Sequence, residues 1–217
     1  MKLITYGDDP SKIKYLKSDY INIGLGKKFI DLFSKLDAFK EYIETVDPNE
    51  ILIFVDGYDV VQRRTDLINF ESKFKETGAD LIFSSETYCW PNPWNAYHFP
   101  PAPPGCPYRF PNSGTFVGYA WAIKKMLHWD IYRLTFDDQG YIHDFCLKCK
   151  DVKIGLDNGQ VFFQTGTGIR WSVLDTCQAW FVHFNGRSHW KKDGSSVLDE
   201  YAQGVPIGGM QQWHTVP

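Results

Sequence analysis

The sequence predicts an α/β fold with a mostly parallel central sheet, flanking helices and a small additional antiparallel element. The run Ile51-Leu52-Ile53-Phe54-Val55 has no polar residue, as expected for a strand that is buried on both faces of a sheet. Strand-like and helix-like segments alternate at short spacing from Leu3 to Ser84. This alternation favours parallel strands that are joined by right-handed crossovers.

The elements of the first half follow from their apolar spacing and from the residues that end them. The longest predicted helix has one apolar stripe and ends at Asp47-Pro48-Asn49, because proline lacks the amide that a continuing helix needs. A shorter amphipathic helix ends at Gly78, a residue typical of helix C-termini. In chain order we predict a strand over 3–6, a helix over 27–46, a strand over 51–55, a helix over 66–77 and a strand over 80–84.

A segment of different character follows over residues 87–111. Its eight prolines rule out long regular elements. Its many aromatic residues indicate a loop that is packed rather than disordered. Long loops of this kind within a compact domain are usually functional.

The second half is predicted to contain two helices and four short strands. Asn112-Ser113-Gly114 leads into the first of these strands, and Asp157-Asn158-Gly159 has the composition of a hairpin turn. The tail from Lys191 has many glycines and no periodicity, so it is either a packed extension or a linker. We predict a strand over 115–120, helices over 121–129 and 138–150, a hairpin of strands over 152–156 and 160–163, and a strand over 179–184.

Charge, hydropathy and cysteine content exclude several kinds of partner. The net charge of -3 argues against a nucleic-acid or anionic-membrane surface as the main partner. No apolar run approaches the roughly 20 residues of a membrane-spanning helix, and the first residues lack the apolar region of a signal peptide. The odd number of cysteines favours reduced thiols and a cytoplasmic location. We interpret Cys146 and Cys149, which lie late in a helical stretch, as structural.

Two carboxylates follow the buried strand directly. Asp56 and Asp59 would leave the carboxyl edge of the sheet, where open α/β folds bind their ligands. Gly57 between them is expected to let the backbone bend so that both carboxylates face one point. Such oxygens suit Mg²⁺ or Mn²⁺, which usually carries a substrate's phosphates. His183, at the end of the last strand, is a candidate third ligand because imidazole can bind Mn²⁺ beside carboxylates.

Three further polar segments have both a structural and a functional interpretation. Asp137 or Asp138 would cap a helix, and one of them would also orient an acceptor hydroxyl near a reacting centre. Asn112-Ser113-Gly114 and Gln164-Thr165-Gly166-Thr167-Gly168 offer amides and small polar groups to a hydroxyl-rich ligand. Ordinary turns have the same composition.

Taken in chain order, these segments resemble the glycosyltransferase domain of procollagen lysyl hydroxylases and its relatives. The relatives include domains of large DNA viruses, of the chlorovirus type, that glycosylate capsid proteins. The resemblance spans residues 3–190, and a short chain without a signal peptide fits the viral branch better, with the host cytoplasm as its location. It rests on Gly24-Leu25-Gly26, Phe54-Val55-Asp56-Gly57-Tyr58-Asp59-Val60, Ile82-Phe83-Ser84-Ser85-Glu86, Asn112-Ser113-Gly114-Thr115-Phe116-Val117-Gly118-Tyr119, Asp137-Asp138-Gln139 and Val182-His183-Phe184-Asn185-Gly186.

The resemblance implies a GT-A fold, which is Rossmann-like, and an enzyme that moves a hexose from a UDP-sugar to a hydroxyl of a glycan or glycoprotein. It implies Mn²⁺ or Mg²⁺ as cofactor, with Asp56, Asp59 and His183 as ligands and with Tyr58 beside the uracil. The implied catalytic residues are Asp137, Asp138 and Gln139. The residues implied to bind the donor are Thr5, Tyr6, Gly7, Asp56, Gly57, Tyr58, Asn112, Ser113, Gly114, Asn185 and Gly186.

The expected organisation is one GT-A domain over 1–190. Residues 1–86 would form its nucleotide-binding half and residues 87–190 its sugar and acceptor half. Residues 191–217 would be a C-terminal extension or a linker, and the chain could belong to a longer multidomain protein. The loop around Trp90–Tyr108 departs from the family in composition, and such loops define acceptor pockets.

Other functions were weighed against the same residues. A phosphatase of the haloacid-dehalogenase type also has acidic residues at the end of a strand. Its carboxylates lie two positions apart, whereas Asp56 and Asp59 lie three positions apart. A non-haem iron oxygenase needs two histidines and one carboxylate as iron ligands. His143 and His183 do not have a spacing that supports this function. A carbohydrate-binding module would use the exposed aromatic residues without a metal. The sugar (glucose, galactose or rhamnose) and the stereochemical outcome of transfer stay open.

Overall fold

The computed structural model describes residues 1–132, 134–135 and 137–211. Its strands are β1 (Lys2–Tyr6), β2 (Ile21–Asn22), β3 (Ile51–Asp56), β4 (Val60–Gln62), β5 (Leu81–Glu86), β6 (Phe110–Tyr119), β7 (Ile154–Asp157), β8 (Phe163–Thr165) and β9 (Phe181–His183). Its α-helices are α1 (Ser34–Ile43), α2 (Leu67–Thr77), α3 (Ala120–Leu127), α4 (Asp138–Lys148), α5 (Trp171–Thr176) and α6 (Leu198–Ala202). Short 3-10 helices cover Pro10–Lys12 and Pro93–Tyr97.

The central sheet has six strands in the order β2-β1-β3-β6-β5-β7. Neighbouring strands are parallel except for β6, which runs antiparallel to both β3 and β5. A second sheet has the order β4-β9-β8, with β4 antiparallel and β8 parallel to β9. The α/β fold class with a mainly parallel central sheet and an additional antiparallel element is therefore confirmed.

Strand β3 is buried on both faces, as its apolar sequence predicted. Phe54 packs against both Phe39 of α1 and Phe116 of β6 on one face, at centroid distances of 5.5 and 5.0 Å. Ile53 and Val55 point to the opposite face, where they join a cluster that includes Phe70 of α2. Since side chains alternate along a strand, an unbroken apolar run can serve two cores at once.

The predicted helix over 27–46 is too long, because α1 begins only at Ser34 and ends at Ile43. Phe29 and Ile30 continue the helical spacing but are 47% and 80% exposed, so no packing surface supports a helix there. The Ser34 hydroxyl instead accepts hydrogen bonds from the amides of Ile30 and Asp31, at 2.9 and 3.1 Å. A local turn thus replaces the first predicted turns of the helix.

The predicted hairpin over 152–163 is wrong. Strand β7 pairs in parallel with β5 of the central sheet, whereas β8 pairs with β9 of the second sheet. The segment between them is organised by Asp157, whose carboxylate accepts hydrogen bonds from the amides of Val161, Phe162 and Phe163 at 2.7–2.8 Å. The turn-like sequence therefore links two sheets instead of two partners in one sheet.

The described part of the tail packs against the second sheet. Val197, Leu198, Tyr201 and Ile207 are buried in a cluster with α5 and with strands β4 and β9. The prediction for residues 191–217 also covers 212–217, which lie outside the described residues. None of the described helices is long and apolar enough to cross a bilayer.

Phe116 lies at the centre of an aromatic cluster in the larger core, where its ring contacts three other buried rings: Phe39, Phe54 and Phe83. Phe116→Ala is expected to lower the free energy of unfolding by about 3–5 kcal/mol, because it leaves a cavity among them. Urea denaturation measures this change. Ile68→Ala is the control, since Ile68 is 90% exposed and its truncation should change stability by less than about 0.5 kcal/mol. Equal effects of the two substitutions would contradict this account of the core.

Candidate active site

The two sheets bring three potential metal ligands together. Asp56 is the last residue of β3, and Asp59 lies immediately before β4. In the second sheet, Val60 is the register partner of His183, and the Phe184 amide donates to the Asp59 carbonyl at 2.9 Å. The pairing of β4 with β9 therefore positions His183 beside the acidic end of β3.

The spacing of these ligand atoms suits one divalent cation. His183 Nε2 lies 3.5 Å from Asp59 Oδ1 and 3.7 Å from Asp56 Oδ2. One ligand atom from each residue fits within 4.8 Å of the others. A cation that binds its ligands at about 2.1 Å holds them roughly 3–4 Å apart, so these residues fit a bound Mg²⁺ or Mn²⁺. The carboxylate and imidazole donors also suit Mn²⁺ chemically.

Two glycines allow the backbone to approach this site closely. A Cβ on Gly57 would lie 2.4 Å from the Tyr6 carbonyl oxygen. Gly57 does not have a positive φ, so it is required for this close approach and not for the sharp bend expected from the sequence. A Cβ on Gly114 would lie 2.1 Å from His183 Cε1 and 2.6 Å from Asp56 Oδ2. Gly114 therefore lets β6 pass directly against the ligand group.

Lys35 of α1 joins the two acidic motifs of the sequence. Its Nζ lies 2.9 Å from Asp56 Oδ1 and 2.9 Å from Asp138 Oδ2, and the lysine is buried. Sequence reasoning missed Lys35 because a single lysine in an amphipathic helix forms no motif. Its position four residues before the buried Phe39, on the apolar side of α1, was the available signal.

The three candidate metal ligands shift one another's pKa values. Burial raises the pKa of Asp56 above its usual value, and Lys35 and His183 only partly offset this effect. Burial also opposes ionisation of Asp59, but His183 outweighs it and holds the pKa of Asp59 below its usual value. For His183, burial lowers the pKa, yet Asp59 and Asp56 outweigh burial and raise it overall. The imidazole thus acts as a partial counter-charge to the carboxylates.

A second buried carboxylate, Glu86, organises the opposite wall. It lies at the end of β5 and accepts hydrogen bonds from the side-chain amides of Gln139 and Asn185, the latter at 2.7 Å. Gln139 Oε1 in turn accepts from Asn112 Nδ2 at 3.0 Å and from the Ser113 amide at 3.2 Å. Burial raises the pKa of Glu86 to about 7. The site prediction did not include Glu86, although it ends the quoted segment over 82–86.

Asn185 connects this wall to the glycine-rich segment over 164–168. Its Oδ1 accepts from the amides of Gly166 and Thr167 at 3.1 and 3.0 Å, and its carbonyl accepts from the Thr167 hydroxyl at 2.8 Å. Thr167 and Gly168 consequently line the site, as does Gly186. Two residues of this polar segment, which the sequence distinguished only weakly from an ordinary turn, therefore lie in the wall of the cleft.

Asp137 caps α4 and also faces the cleft. Its Oδ1 accepts from the amides of Gln139 and Gly140 at 2.8 and 3.4 Å, which is the structural role predicted for it. Its Oδ2 accepts from the indole nitrogen of Trp90 at 3.4 Å. Burial raises the pKa of Asp137 above its usual value. Asp138, the first residue of α4, is instead turned toward Lys35.

These groups line a cleft of about 780 Å³. The predicted residues that line it are Asp56, Asp59, Asn112, Ser113, Asp137, Asp138, Gln139, His183, Asn185 and Gly186. The predicted residues that do not line it are Thr5, Tyr6, Gly7, Gly57, Tyr58 and Gly114. The Thr5 hydroxyl donates to the Val55 carbonyl at 2.8 Å, and the Tyr58 hydroxyl bonds to Asp8 and to the amide of Asp9. Their contacts with a nucleotide stay a prediction.

An α/β fold with two carboxylates and an imidazole at a sheet edge, facing a polar cleft, is an arrangement suited to binding a metal and a phosphorylated ligand. The chain belongs to the family of glycosyltransferase domains described as the PLOD GT domain, whose model matches residues 17–178. The resemblance inferred from the sequence motifs is therefore confirmed.

Several longer proteins share this domain. Procollagen-lysine,2-oxoglutarate 5-dioxygenase of Drosophila melanogaster is 40% identical over 125 residues, which are 56% of this chain and 17% of that protein. The multifunctional procollagen lysine hydroxylase and glycosyltransferase LH3 of Rattus norvegicus is 34% identical over 123 residues, which are 54% of this chain and 16% of LH3. Uncharacterized protein R699 of Acanthamoeba polyphaga mimivirus is 29% identical over 48% of this chain and 21% of its own length. The chain thus matches only a minor part of each relative.

Among solved structures, a galactosyltransferase LgtC complex with donor and acceptor sugar analogs has a TM-score of 0.48 and 14% identity. The alignment covers 85% of this chain and 69% of that chain.

Gly114→Ala is expected to weaken Mn²⁺ binding by at least about tenfold, because the added methyl group would displace both His183 and Asp56. Isothermal titration calorimetry with MnCl₂ measures the affinity. Gly209→Ala is the matched control, since a Cβ there meets no atom within 4 Å. Unchanged affinity in Gly114→Ala would show that these residues do not bind a metal together.

Glu86 is expected to make the folded state more stable as the pH falls. Its pKa is about 7 in the folded protein against 4.5 as the ordinary value, so the folded state binds the proton more tightly. Its stabilising contribution is fully present below pH 4.5 and is lost as the pH rises through about 7; the difference is about 3 kcal/mol.

Glu86→Gln is expected to remove this component of the pH dependence. Urea denaturation at a series of pH values between 4.5 and 7.5 measures it for both proteins. Glu41→Gln is the control, because the Glu41 side chain is 72% exposed. The same slope in wild type and Glu86→Gln would contradict the assignment of a raised pKa to Glu86.

Proposed function

We propose that the protein is a metal-dependent glycosyltransferase that moves a hexose from a UDP-sugar to a hydroxyl of a glycan or glycoprotein acceptor. The observation that carries this proposal is the convergence of Asp56, Asp59 and His183 on the same cleft as the network around Glu86. Membership of the PLOD GT domain family supports the sugar-transfer chemistry.

In this proposal Asp56, Asp59 and His183 hold Mn²⁺ or Mg²⁺. When bound, the cation supplies Lewis-acid stabilisation of the charge that develops on the departing diphosphate. We assign Asn185 and Gly186, which line the cleft beside the ligand group, to the neighbourhood of the diphosphate. Lys35 adds a fixed positive charge between Asp56 and Asp138, which keeps two carboxylates from repelling an anionic donor at close range.

We assign nucleotide binding to the half of the domain over 1–86, as expected from the sequence. Tyr58 is suited to the uracil because its hydroxyl is fixed by Asp8 at 2.5 Å and by the Asp9 amide at 2.8 Å. A ring that is already fixed loses little conformational freedom when a base stacks on it. Thr5 and Tyr6 lie at the end of β1, which pairs with β3, and Gly7 follows β1 directly. We propose that these three residues contact the nucleotide at this end of β1.

We assign the acceptor side to residues 87–190, and the reacting hydroxyl to the neighbourhood of α4. Asp137 faces the cleft with a raised pKa, which suits a group that accepts a hydrogen bond or a proton from a hydroxyl. Asp138 holds Lys35 in place, and Gln139 positions Glu86 and Asn112 through both ends of its amide. Holding donor and acceptor in line is the main task left to the protein.

The test is turnover of donor by the full chain. UDP-glucose, UDP-galactose and UDP-rhamnose are offered with and without Mn²⁺, and released UDP is measured. Release that depends on Mn²⁺ is expected for at least one donor. The proposal fails if no donor binds or turns over, or if turnover is independent of the metal. A metal-independent carbohydrate-binding module would give sugar binding with no UDP release.

Asp59→Asn is expected to reduce Mn²⁺-dependent UDP release by at least about 100-fold, because an amide is a poorer ligand than a carboxylate for a hard cation. Circular dichroism checks that the variant is folded. Asp151→Asn is the matched control, since the Asp151 side chain is 74% exposed and lies outside the cleft. Full activity in Asp59→Asn would show that Asp59 is not a metal ligand.

A further inference from the structure

Two aromatic side chains of the loop over 87–111, those of Trp94 and Tyr97, are exposed to solvent. Trp94 is 74% exposed and Tyr97 is 82% exposed. Their ring centroids are 6.5 Å apart, with an angle of 20° between the ring planes. Large aromatic side chains gain free energy by burial, so two nearly parallel rings left in water are a candidate surface for a ligand.

Hydrogen bonds and apolar packing fix the conformation of the loop around these rings. Asn92 caps the 3-10 helix Pro93–Tyr97 by accepting from the Trp94 amide at 3.1 Å. The Arg109 guanidinium donates to the carbonyls of Ala96, Phe99 and Pro100, the first and the last at 2.8 Å. Phe99 is buried against Cys89 and Phe110. The backbone that carries the two rings is therefore fixed, and little backbone conformational entropy would be lost when they bind a ligand.

The aromatic pair lies next to the cleft along the chain. Trp90 lines the cleft, and its carbonyl accepts from Gln139 Nε2 at 3.0 Å. Trp94 lies four positions after Trp90, so their Cα atoms are at most roughly 14 Å apart. Beside the pair is a groove of about 490 Å³ that is lined by Pro93, Trp94, Ala96, Tyr97 and Arg109. Only a short stretch of this loop therefore separates a residue of the cleft, Trp90, from the first residue of the groove, Pro93.

The charge of the loop selects the kind of ligand. Arg109 is the only residue among Asp, Glu, Lys and Arg in the sequence over 87–111. Its donors are directed to carbonyls of the loop itself. A surface of aromatic rings without free charge suits the C–H face of a neutral sugar ring, and it offers no counter-ion to a charged peptide.

We propose that Trp94 and Tyr97 form a stacking platform for a neutral pyranose unit of the acceptor glycan, beyond the unit that receives the transferred hexose. This assignment rests on the proposed glycosyltransferase function. It makes the loop over 87–111 the determinant of acceptor length, because only an acceptor with at least one further sugar unit reaches the platform.

The test uses the full chain without metal or nucleotide, and cellobiose, lactose and maltose as probes. Binding is followed by saturation-transfer NMR and by tryptophan fluorescence. At least one disaccharide is expected to bind, and the double substitution Trp94→Ala and Tyr97→Ala is expected to raise its Kd by about tenfold or more. The double substitution Trp94→Phe and Tyr97→Phe keeps both ring faces and should retain most of the affinity. Ile68→Ala, at an exposed site on α2, should leave the Kd unchanged.

The platform is overturned if none of the three disaccharides binds, or if the alanine double variant binds them as wild type does. Loss of binding in the phenylalanine double variant as well would overturn it too, since stacking requires only the ring faces. Failure of the proposed function has a different signature, which is the absence of metal-dependent UDP release from wild type. Binding that depends on Trp94 and Tyr97 in a protein without donor turnover would retain the platform as a sugar site and reject the transferase.

Discussion

The site depends on an excess of negative charge that is held partly out of water. Asp56, Asp59 and Asp138 converge, and within the described chain the cationic partners in contact with them are Lys35 and His183. Buried carboxylates are costly unless they are paired. One lysine shared by two carboxylates leaves the third to a histidine, so the group still carries an excess of negative charge. A cation that bound to this group would also stabilise this edge of the sheet, because a ligand that binds only the folded state stabilises it.

The direction of β6 decides which residues meet at this edge. Because β6 runs antiparallel to β3 and β5, its first residues lie beside the last residues of both neighbours. Asn112 and Gly114 thereby reach the edge where Asp56 and Glu86 emerge. The second sheet contributes His183 from the other side, and the absence of a side chain at Gly114 provides the room. The site is therefore a junction of two sheets, and its residues come from both halves of the chain.

The strand that carries Asp56 was predictable, because burial on both faces and exit at a sheet edge follow from residue type alone. The direction of β6 was not, since an apolar pattern is the same in either direction. The helix over 27–46 was predicted too long because Phe29 keeps helical spacing without a surface to cover. Lys35 was missed because a single lysine in a helix forms no motif, and Glu86 was given no role although it ends the motif over 82–86. Their roles depend on partners such as Asp138 that only the folded chain brings near.

The loop over 87–109 leaves the central sheet at Glu86 and returns at Phe110, and these two residues are register partners. The sheet therefore fixes both ends of the loop whatever its length, and each doubling of a flexible loop adds only about 0.6 kcal/mol of closure entropy. Arg109 and Phe99 hold the loop together from within. Evolution can accordingly lengthen, shorten or recompose this one insertion while the edge that carries Asp56 and Asp59 is preserved, so that a single scaffold is able to present different surfaces beside the same cleft.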